Sequence, residues 1–156
     1  MLSLEIPGER PYRLEHLVLD YNGTLAVAGA LLPGVAERLS ALSEQLEVQI
    51  VTADTFGSVQ SEVAQLPCRV TLIGAARQDQ QKLELVQRLG TSAVVAIGNG
   101  RNDGLMLKAA QLGIGLIQAE GAAAATLLNA DLICTSIIDA LNLLIHPQRL
   151  SASLRN

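Results

Sequence analysis

The stretch Leu17-Val18-Leu19-Asp20-Tyr21-Asn22-Gly23-Thr24-Leu25 decides how the rest of the chain is read. A short apolar run ends in a carboxylate, and turn residues and a hydroxyl follow. An apolar run of this length suits a strand buried on both faces of a parallel sheet. Asp20 then stands at the strand's carboxyl end, where open α/β sheets place their ligands. A plainer reading competes with it. Asn22-Gly23 between apolar segments is a hairpin signal, with Asp20 and Thr24 as turn residues. The downstream sequence has to choose.

The 156 residues suit one domain, with a core over about 13–146, an irregular lead-in over 1–12 and a polar tail over 147–156. Composition is 49% hydrophobic but only 2% aromatic, so the core is aliphatic and a stacking surface for nucleic acid is unexpected. A net charge of −4 without a basic run argues the same way. Sparse charge on a small apolar chain favours self-association. Cys68 and Cys134 lie far apart and outside any CxxC pattern. Without a signal-peptide pattern they read as reduced, buried thiols of a cytoplasmic protein. His16 and His146 lack metal-ligand spacing, and no apolar run suits a membrane span.

Along the chain, Leu14–Asp20 reads as the first core strand and Leu25–Leu32 as a short β-flap. Pro33 opens a helix to about Leu46, with Val35, Leu39, Leu42 and Leu46 at helical spacing. Val48–Thr52 is a strand, and Asp54 or Thr55 can cap the helix carrying Val59, Val63 and Leu66. Strand Val70–Ile73 precedes a helix over Asp79–Leu89, with Leu83, Val86 and Leu89 inward. Strands at Ala93–Ile97, Ile114–Ile117 and Leu132–Cys134 alternate with helices at Leu105–Gln111, Ala122–Leu128 and Ile137–Ile145. This alternation predicts a three-layer α/β/α, Rossmann-like fold around a mainly parallel sheet.

Four polar stretches fall at strand ends or a helix start: Asp20/Asn22/Thr24, Thr52/Asp54, Lys82 and Asn99/Asn102/Asp103. In a parallel sheet these points share one edge and can converge on one pocket. Carboxylate and carbonyl oxygens there suit Mg²⁺, and lysine with backbone N–H groups suits phosphate. Each stretch also has a plainer reading. Asp54, Thr55, Asn102 and Asp103 can be helix caps, and Lys82 an exposed helix lysine.

In order and separation, these stretches resemble the haloacid dehalogenase superfamily and, within it, the phosphorylation domain of P-type ATPases. Asp20-Tyr21-Asn22-Gly23-Thr24 is similar to the first motif, an Asp, two variable residues and Gly-Thr. Thr52-Ala53-Asp54 is similar to the ATPases' Thr-Gly-Asp, and Lys82 stands where the third-motif lysine is expected. Gly98-Asn99-Gly100-Arg101-Asn102-Asp103 resembles their Gly-Asp-Gly-x-Asn-Asp loop, and Ala130-Asp131 has a counterpart. The resemblance covers about Leu14 to Leu144 and sets the hairpin reading of Asn22-Gly23 aside.

The resemblance implies a hydrolase with Asp20 as the nucleophile of an aspartyl-phosphate. Asn22 and Thr52 join Asp20 and Lys82 as catalytic positions, with Lys82 offsetting charge on Asp20 and the phosphoryl group. Asn22, Gly23, Thr24, Thr52, Ala53, Lys82 and Asn102 would bind phosphate. Mg²⁺ would bridge Asp20, the backbone carbonyl of Asn22 and Asn99, while Asp103 orients Lys82 and the metal's water. The expected partner is a small phosphorylated substrate, with neither nucleic acid nor membrane.

Two departures bear on mechanism. Phosphatases of the superfamily usually carry an acid–base Asp two residues after the nucleophile, and here it is Asn22. An amide supplies no proton, so slow or leaving-group-limited turnover is expected. Asn99 stands where a metal-binding Asp is usual, so weaker Mg²⁺ binding is expected. Deamidation at either Asn-Gly pair would restore a carboxylate. These departures support an alternative, a phosphate- or metal-binding regulatory module with little turnover. Dinucleotide binding is disfavoured because Gly98, Gly100 and Gly104 do not form GxGxxG. There is no insertion of cap-domain size. The Leu25–Leu32 flap reads equally as an oligomer contact or as an apolar lip over the pocket.

Overall fold

The computed structural model describes residues 1–53 and 58–155, so the capping role expected of Asp54 or Thr55 lies outside the described residues. In chain order the elements are β1 (Leu2–Leu4), β2 (Tyr12–Leu14), β3 (His16–Asp20), β4 (Ala26–Val27), β5 (Ala30–Leu31) and α1 (Val35–Leu42). Then come β6 (Glu47–Thr52), α2 (Ser58–Val63), β7 (Cys68–Leu72), α3 (Gln78–Leu89), β8 (Val94–Gly98) and α4 (Gly104–Ala109). The chain closes with β9 (Leu112–Leu116), α5 (Ala124–Leu127), β10 (Leu132–Cys134), α6 (Ile137–Ile145) and α7 (Pro147–Leu154).

Six strands form one parallel sheet in the order β10-β9-β8-β3-β6-β7. From central β3 the chain builds outward through β6 and β7, then crosses to β8 on the other side. The direction of winding therefore switches between β3 and β8, and a crevice opens at their carboxyl ends. Asp20 ends β3, and Asn99 follows β8.

Alternation along the strands sends side chains into two layers. Leu17, Leu19, Val48, Ile50, Val95 and Ile97 face α1, α2, α6 and α7, while Val18, Val51, Val94 and Ala96 face α3 and α4. In β9 the residues on the second face are glycines. A Cβ at Gly113 would collide with the Leu107 carbonyl, and one at Gly115 would stand 2.8 Å from Leu127 Cδ2. Glycine lets α4 and α5 seat directly on the sheet there.

Three expectations change. The lead-in is ordered: β1 pairs antiparallel with β2 and buries Leu2, Leu4 and Ile6. The tail forms α7 behind Pro147, with Leu150 fully buried. Helix α3 is rotated from its expected face. It buries Lys82, Leu85 and Val86, and Leu83 and Leu89 are only half-buried. The rotation follows from Lys82, whose charged end is drawn inward by two carboxylates. The flap is the expected hairpin, β4 with β5, turning through Ala28 and Gly29 at positive φ. Cys68 and Cys134 are both free, on opposite edge strands. Among the described residues no helix is long and apolar enough to cross a membrane.

Gly113→Ala places its methyl against helix backbone, whereas Gly115→Ala meets the end of a flexible leucine. The first is expected to destabilise by about 3 kcal/mol and the second by clearly less. Urea unfolding midpoints of the two variants check this.

Candidate active site

Lys82 is the centre of the site. It rises from α3 beneath the carboxyl ends of the strands and is only 1% exposed. Its Nζ donates to Asp20 Oδ1 at 2.7 Å and to Asp103 Oδ1 at 2.6 Å, and reaches Asn102 Oδ1 at 3.4 Å. Asp103 is itself fixed, because its Oδ2 accepts from the backbone N–H of Asn99 at 3.0 Å and of Gly100 at 2.9 Å. This carboxylate fits because residue 98 is glycine: a Cβ there would lie 2.5 Å from Asp103 Cγ.

Asp20 ends the strand buried but for 8% of its surface. The turn after it is closed by the Tyr21 carbonyl, which accepts from the N–H groups of Thr24, Leu25 and Ala26. The turn brings Thr24 back, and its Oγ1 lies 3.2 Å from Asp20 Oδ2 and 3.4 Å from Asn99 Oδ1. Burial, then the charge of Asp103, pushes the Asp20 carboxyl up to about 7 against the opposing pull of Lys82. Burial works to lower the Lys82 ammonium, but the two carboxylates outweigh it and hold its pKa above the ordinary value.

A cavity of about 320 Å³ opens over these groups, lined by Asp20, Asn22, Thr52, Ala53, Gln78, Lys82, Asn99, Gly100 and Asn102. The structure therefore brings together residues of all four predicted stretches, with Asp54 outside the described residues. Lys82 is not an exposed helix lysine, and Asp103 binds Lys82 and loop backbone. Gly23 and Thr24 do not line the cavity, contrary to their expected place among the phosphate contacts. Gly23 (φ +78°) packs under the Asn99 amide, where a Cβ would lie 2.5 Å from Nδ2, and Thr24 is wholly buried. No residue of the flap lines the cavity, so the apolar-lip reading of Leu25–Leu32 is not supported. The flap is fastened away from it, with the Tyr21 hydroxyl donating to the Gly29 carbonyl at 3.1 Å. Asp131 accepts from the Gly113 N–H at 2.7 Å, a structural role. Two larger clefts, of 630 and 720 Å³, lie toward the amino ends of the strands, and their charged residues are all exposed.

Sequence reasoning missed two glutamines. Gln78 lines the cavity and accepts from Asn102 Nδ2 at 2.6 Å. Gln118, after β9, donates to the carbonyls of Gly23 at 3.1 Å and Thr24 at 3.0 Å and accepts from the Ile137 N–H at 2.6 Å. It ties the turn after Asp20 to the start of α6. A single glutamine carries no sequence signal for such a role.

Among the described residues no group of three His, Cys, Asp or Glu side chains is placed to hold a metal. Oxygen donors of mixed type fit a divalent cation better. Asn99 Nδ2 donates to the Gly121 carbonyl at 3.0 Å, which turns Oδ1 toward Thr24 and Asp20. Asp20 Oδ2 and Asn99 Oδ1 thus lie within 3.4 Å of the same hydroxyl oxygen. This donor chemistry suits Mg²⁺.

The bond from Asn99 to Gly121 also tells against deamidation at Asn99 as a gain, since a carboxylate there would face a carbonyl without a proton to donate. Asn99→Asp is expected to lower the thermal midpoint in chelator by several degrees. Added Mg²⁺ should raise the midpoint more in this variant than in the parent, because the new charge strengthens the metal site. Thermal scans with and without Mg²⁺ read both effects.

No family model matches the chain. It is 45% identical over 73 residues to the uncharacterized protein MJ0073 of Methanocaldococcus jannaschii, a match covering 47% of this chain and 78% of that protein. It is 49% identical over 39 residues to the uncharacterized protein MJ0072 of the same organism, covering 25% and 89%. Among solved structures it is similar to the 3-deoxy-D-manno-octulosonate 8-phosphate phosphatase of Moraxella catarrhalis, solved with magnesium, phosphate and KDO. That match has a TM-score of 0.73 at 17% identity over 91% of each chain. The cobalt-bound phosphatase YrbI of Haemophilus influenzae gives 0.72 at 12% identity, covering 90% of this chain and 92% of that one. A zinc-transporting PIB-type ATPase gives 0.63 at 22% identity, covering 79% of this chain and 20% of the ATPase. At these identities the likeness shows a shared fold, that of the haloacid dehalogenase superfamily.

Proposed function

We propose that this chain, which belongs to the same family as protein MJ0073 of Methanocaldococcus jannaschii and has the haloacid dehalogenase fold, is a phosphohydrolase that works through an aspartyl-phosphate on Asp20. One observation carries the reading: a buried lysine holds a strand-end aspartate at 2.7 Å beneath a cavity that also gathers Thr52, Asn99 and Asn102. The phosphatase and ATPase neighbours support it through their fold, and the magnesium and cobalt of two of them support a divalent cofactor.

An Asp20 oxygen attacks phosphorus, the bond from phosphorus to the leaving oxygen breaks, and an acyl phosphate forms. Lys82 offsets negative charge on Asp20 and on the phosphoryl oxygens as it builds, and Thr52 hydrogen-bonds one of those oxygens. The leaving alkoxide takes its proton from solvent, since the Asn22 amide has none to give. Water then attacks the phosphorus, releases inorganic phosphate and restores Asp20. Asp20, the Asn22 carbonyl and Asn99 would hold Mg²⁺, whose chemistry there is to neutralise phosphoryl charge. A binding module with little turnover is the second reading, and Asn22 in place of an acid favours it.

Hydrolysis of p-nitrophenyl phosphate tests the first reading, because that leaving group departs without protonation. Turnover with Mg²⁺ is expected in the parent and is expected to vanish in Asp20→Asn. Asp20 must be ionised to attack, so at limiting Mg²⁺ the rate should rise with pH through about 7. Saturating Mg²⁺ should move that rise to lower pH, because a bound cation favours the carboxylate. No turnover in the parent, with Mg²⁺ binding demonstrated, would move the assignment to the binding module.

Asn22→Asp supplies the missing acid. It is expected to accelerate hydrolysis of an alkyl phosphate by about 10²-fold or more and to change p-nitrophenyl phosphate hydrolysis far less. Steady-state rates on the two substrates check this.

A further inference from the structure

A second cavity of about 320 Å³ adjoins the catalytic one, lined by Ala75, Arg77, Gln78, Asp79, Arg101 and Asn102. The two cavities share Gln78 and Asn102, which are hydrogen-bonded to each other at 2.6 Å. This amide pair is their common wall, and Asn102 Oδ1 continues it to Lys82 Nζ at 3.4 Å.

Arg77 and Arg101 are both exposed, and among the described residues neither forms an ion pair. Asp79 is the one carboxylate in the lining, so the cavity carries net positive charge in a chain of net charge −4. Arg77 is held at φ +53°, a conformation uncommon for a residue with a side chain. Gln81 keeps it there. Its side chain bonds the N–H and carbonyl of Gly74 and the carbonyl of Ala76, and its own N–H donates to the Arg77 carbonyl at 3.1 Å. Arg101 opens the 3-10 turn that delivers Asp103. The two arginines are thus mounted on the segments that carry Lys82 and Asp103. Arg77 caps the start of α3 and precedes Lys82 by five residues, about 7.5 Å at the helical rise of about 1.5 Å per residue.

Taking the catalytic reading as given, we infer that this second cavity binds a second anionic group of the substrate. The substrate class is then a phosphate monoester that also bears a carboxylate or another phosphate a short chain away. Unpaired guanidinium groups suit either group through forked hydrogen bonds. The uncapped site leaves such a substrate free to lie across the shared wall, with its reacting phosphoryl over Asp20.

Equilibrium binding to Asp20→Asn, read by calorimetry with Mg²⁺ present, tests this without turnover. Two matched pairs serve as probes: glycerol 3-phosphate against 3-phosphoglycerate, and fructose 6-phosphate against fructose 1,6-bisphosphate. The bis-anionic member of at least one pair is expected to bind about tenfold tighter. The favoured pair then tells a carboxylate from a phosphate subsite. Adding Arg77→Gln with Arg101→Gln should reduce that preference to about twofold or less, and Arg77→Lys with Arg101→Lys should keep most of it. Equal binding within both pairs overturns the inference, as does a preference that survives the double glutamine variant with its thermal midpoint retained. Hydrolysis of p-nitrophenyl phosphate by the parent reports separately on the catalytic reading, so either can fail alone.

Discussion

One buried ammonium between two carboxylates sets the terms for the rest of the site. Lys82 at 1% exposure is tolerable only because Asp20 and Asp103 accept from it at 2.7 and 2.6 Å. The triad still carries one negative charge more than positive, and that excess bears on Asp20, raised to about 7 by burial first and Asp103 next. The other oxygen of Asp103 is held by two backbone N–H groups. A site with an excess buried negative charge and free oxygen donors is one that a divalent cation relieves. The same cation would favour the ionised form of Asp20 that nucleophilic attack requires.

The fold was legible because parallel sheets write themselves as apolar runs followed by polar turns. Leu17–Asp20, Val48–Thr52 and Val95–Gly98 each show this pattern, and their carboxyl ends supply the site. Order and spacing of short motifs made Asp20, Thr52, Lys82, Asn99 and Asp103 readable. What stayed hidden depends on partners distant in sequence. The orientation of α3 follows from carboxylates 62 residues before Lys82 and 21 after it, and apolar periodicity pointed to a different face. β1 and α7 are ordered by burying Leu2, Leu4 and Leu150, too few apolar residues to announce an element. Gln78 acts through one hydrogen bond to Asn102 and Gln118 through three to backbone groups distant in sequence, and neither contact has a local pattern.

The segment after β9 shows how the amide at 99 belongs to this site and is not a mere loss of charge. Gln118 fastens the turn carrying Asn22–Thr24, and the Gly121 carbonyl accepts from the Asn99 side chain. The Gly121 N–H in turn bonds the Gln118 carbonyl at 2.8 Å, so both contacts come from one compact turn. Asn99 therefore trades a formal charge for a fixed orientation of its oxygen. That oxygen and Asp20 Oδ2 lie 3.4 and 3.2 Å from the same Thr24 hydroxyl.

No part of the cavity over Asp20 is lined by the hairpin β4–β5. The hairpin β4–β5 is the one segment between β3 and α1 long enough to fold over the cavity, yet its tip is held by the Tyr21 hydroxyl, and Tyr21 is wholly buried. Lifting the hairpin would expose that ring, a cost of roughly 2–3 kcal/mol by typical burial values. What the site offers lies in fixed charge: Lys82 and Asp103 at the centre, Arg77 and Arg101 at the edge.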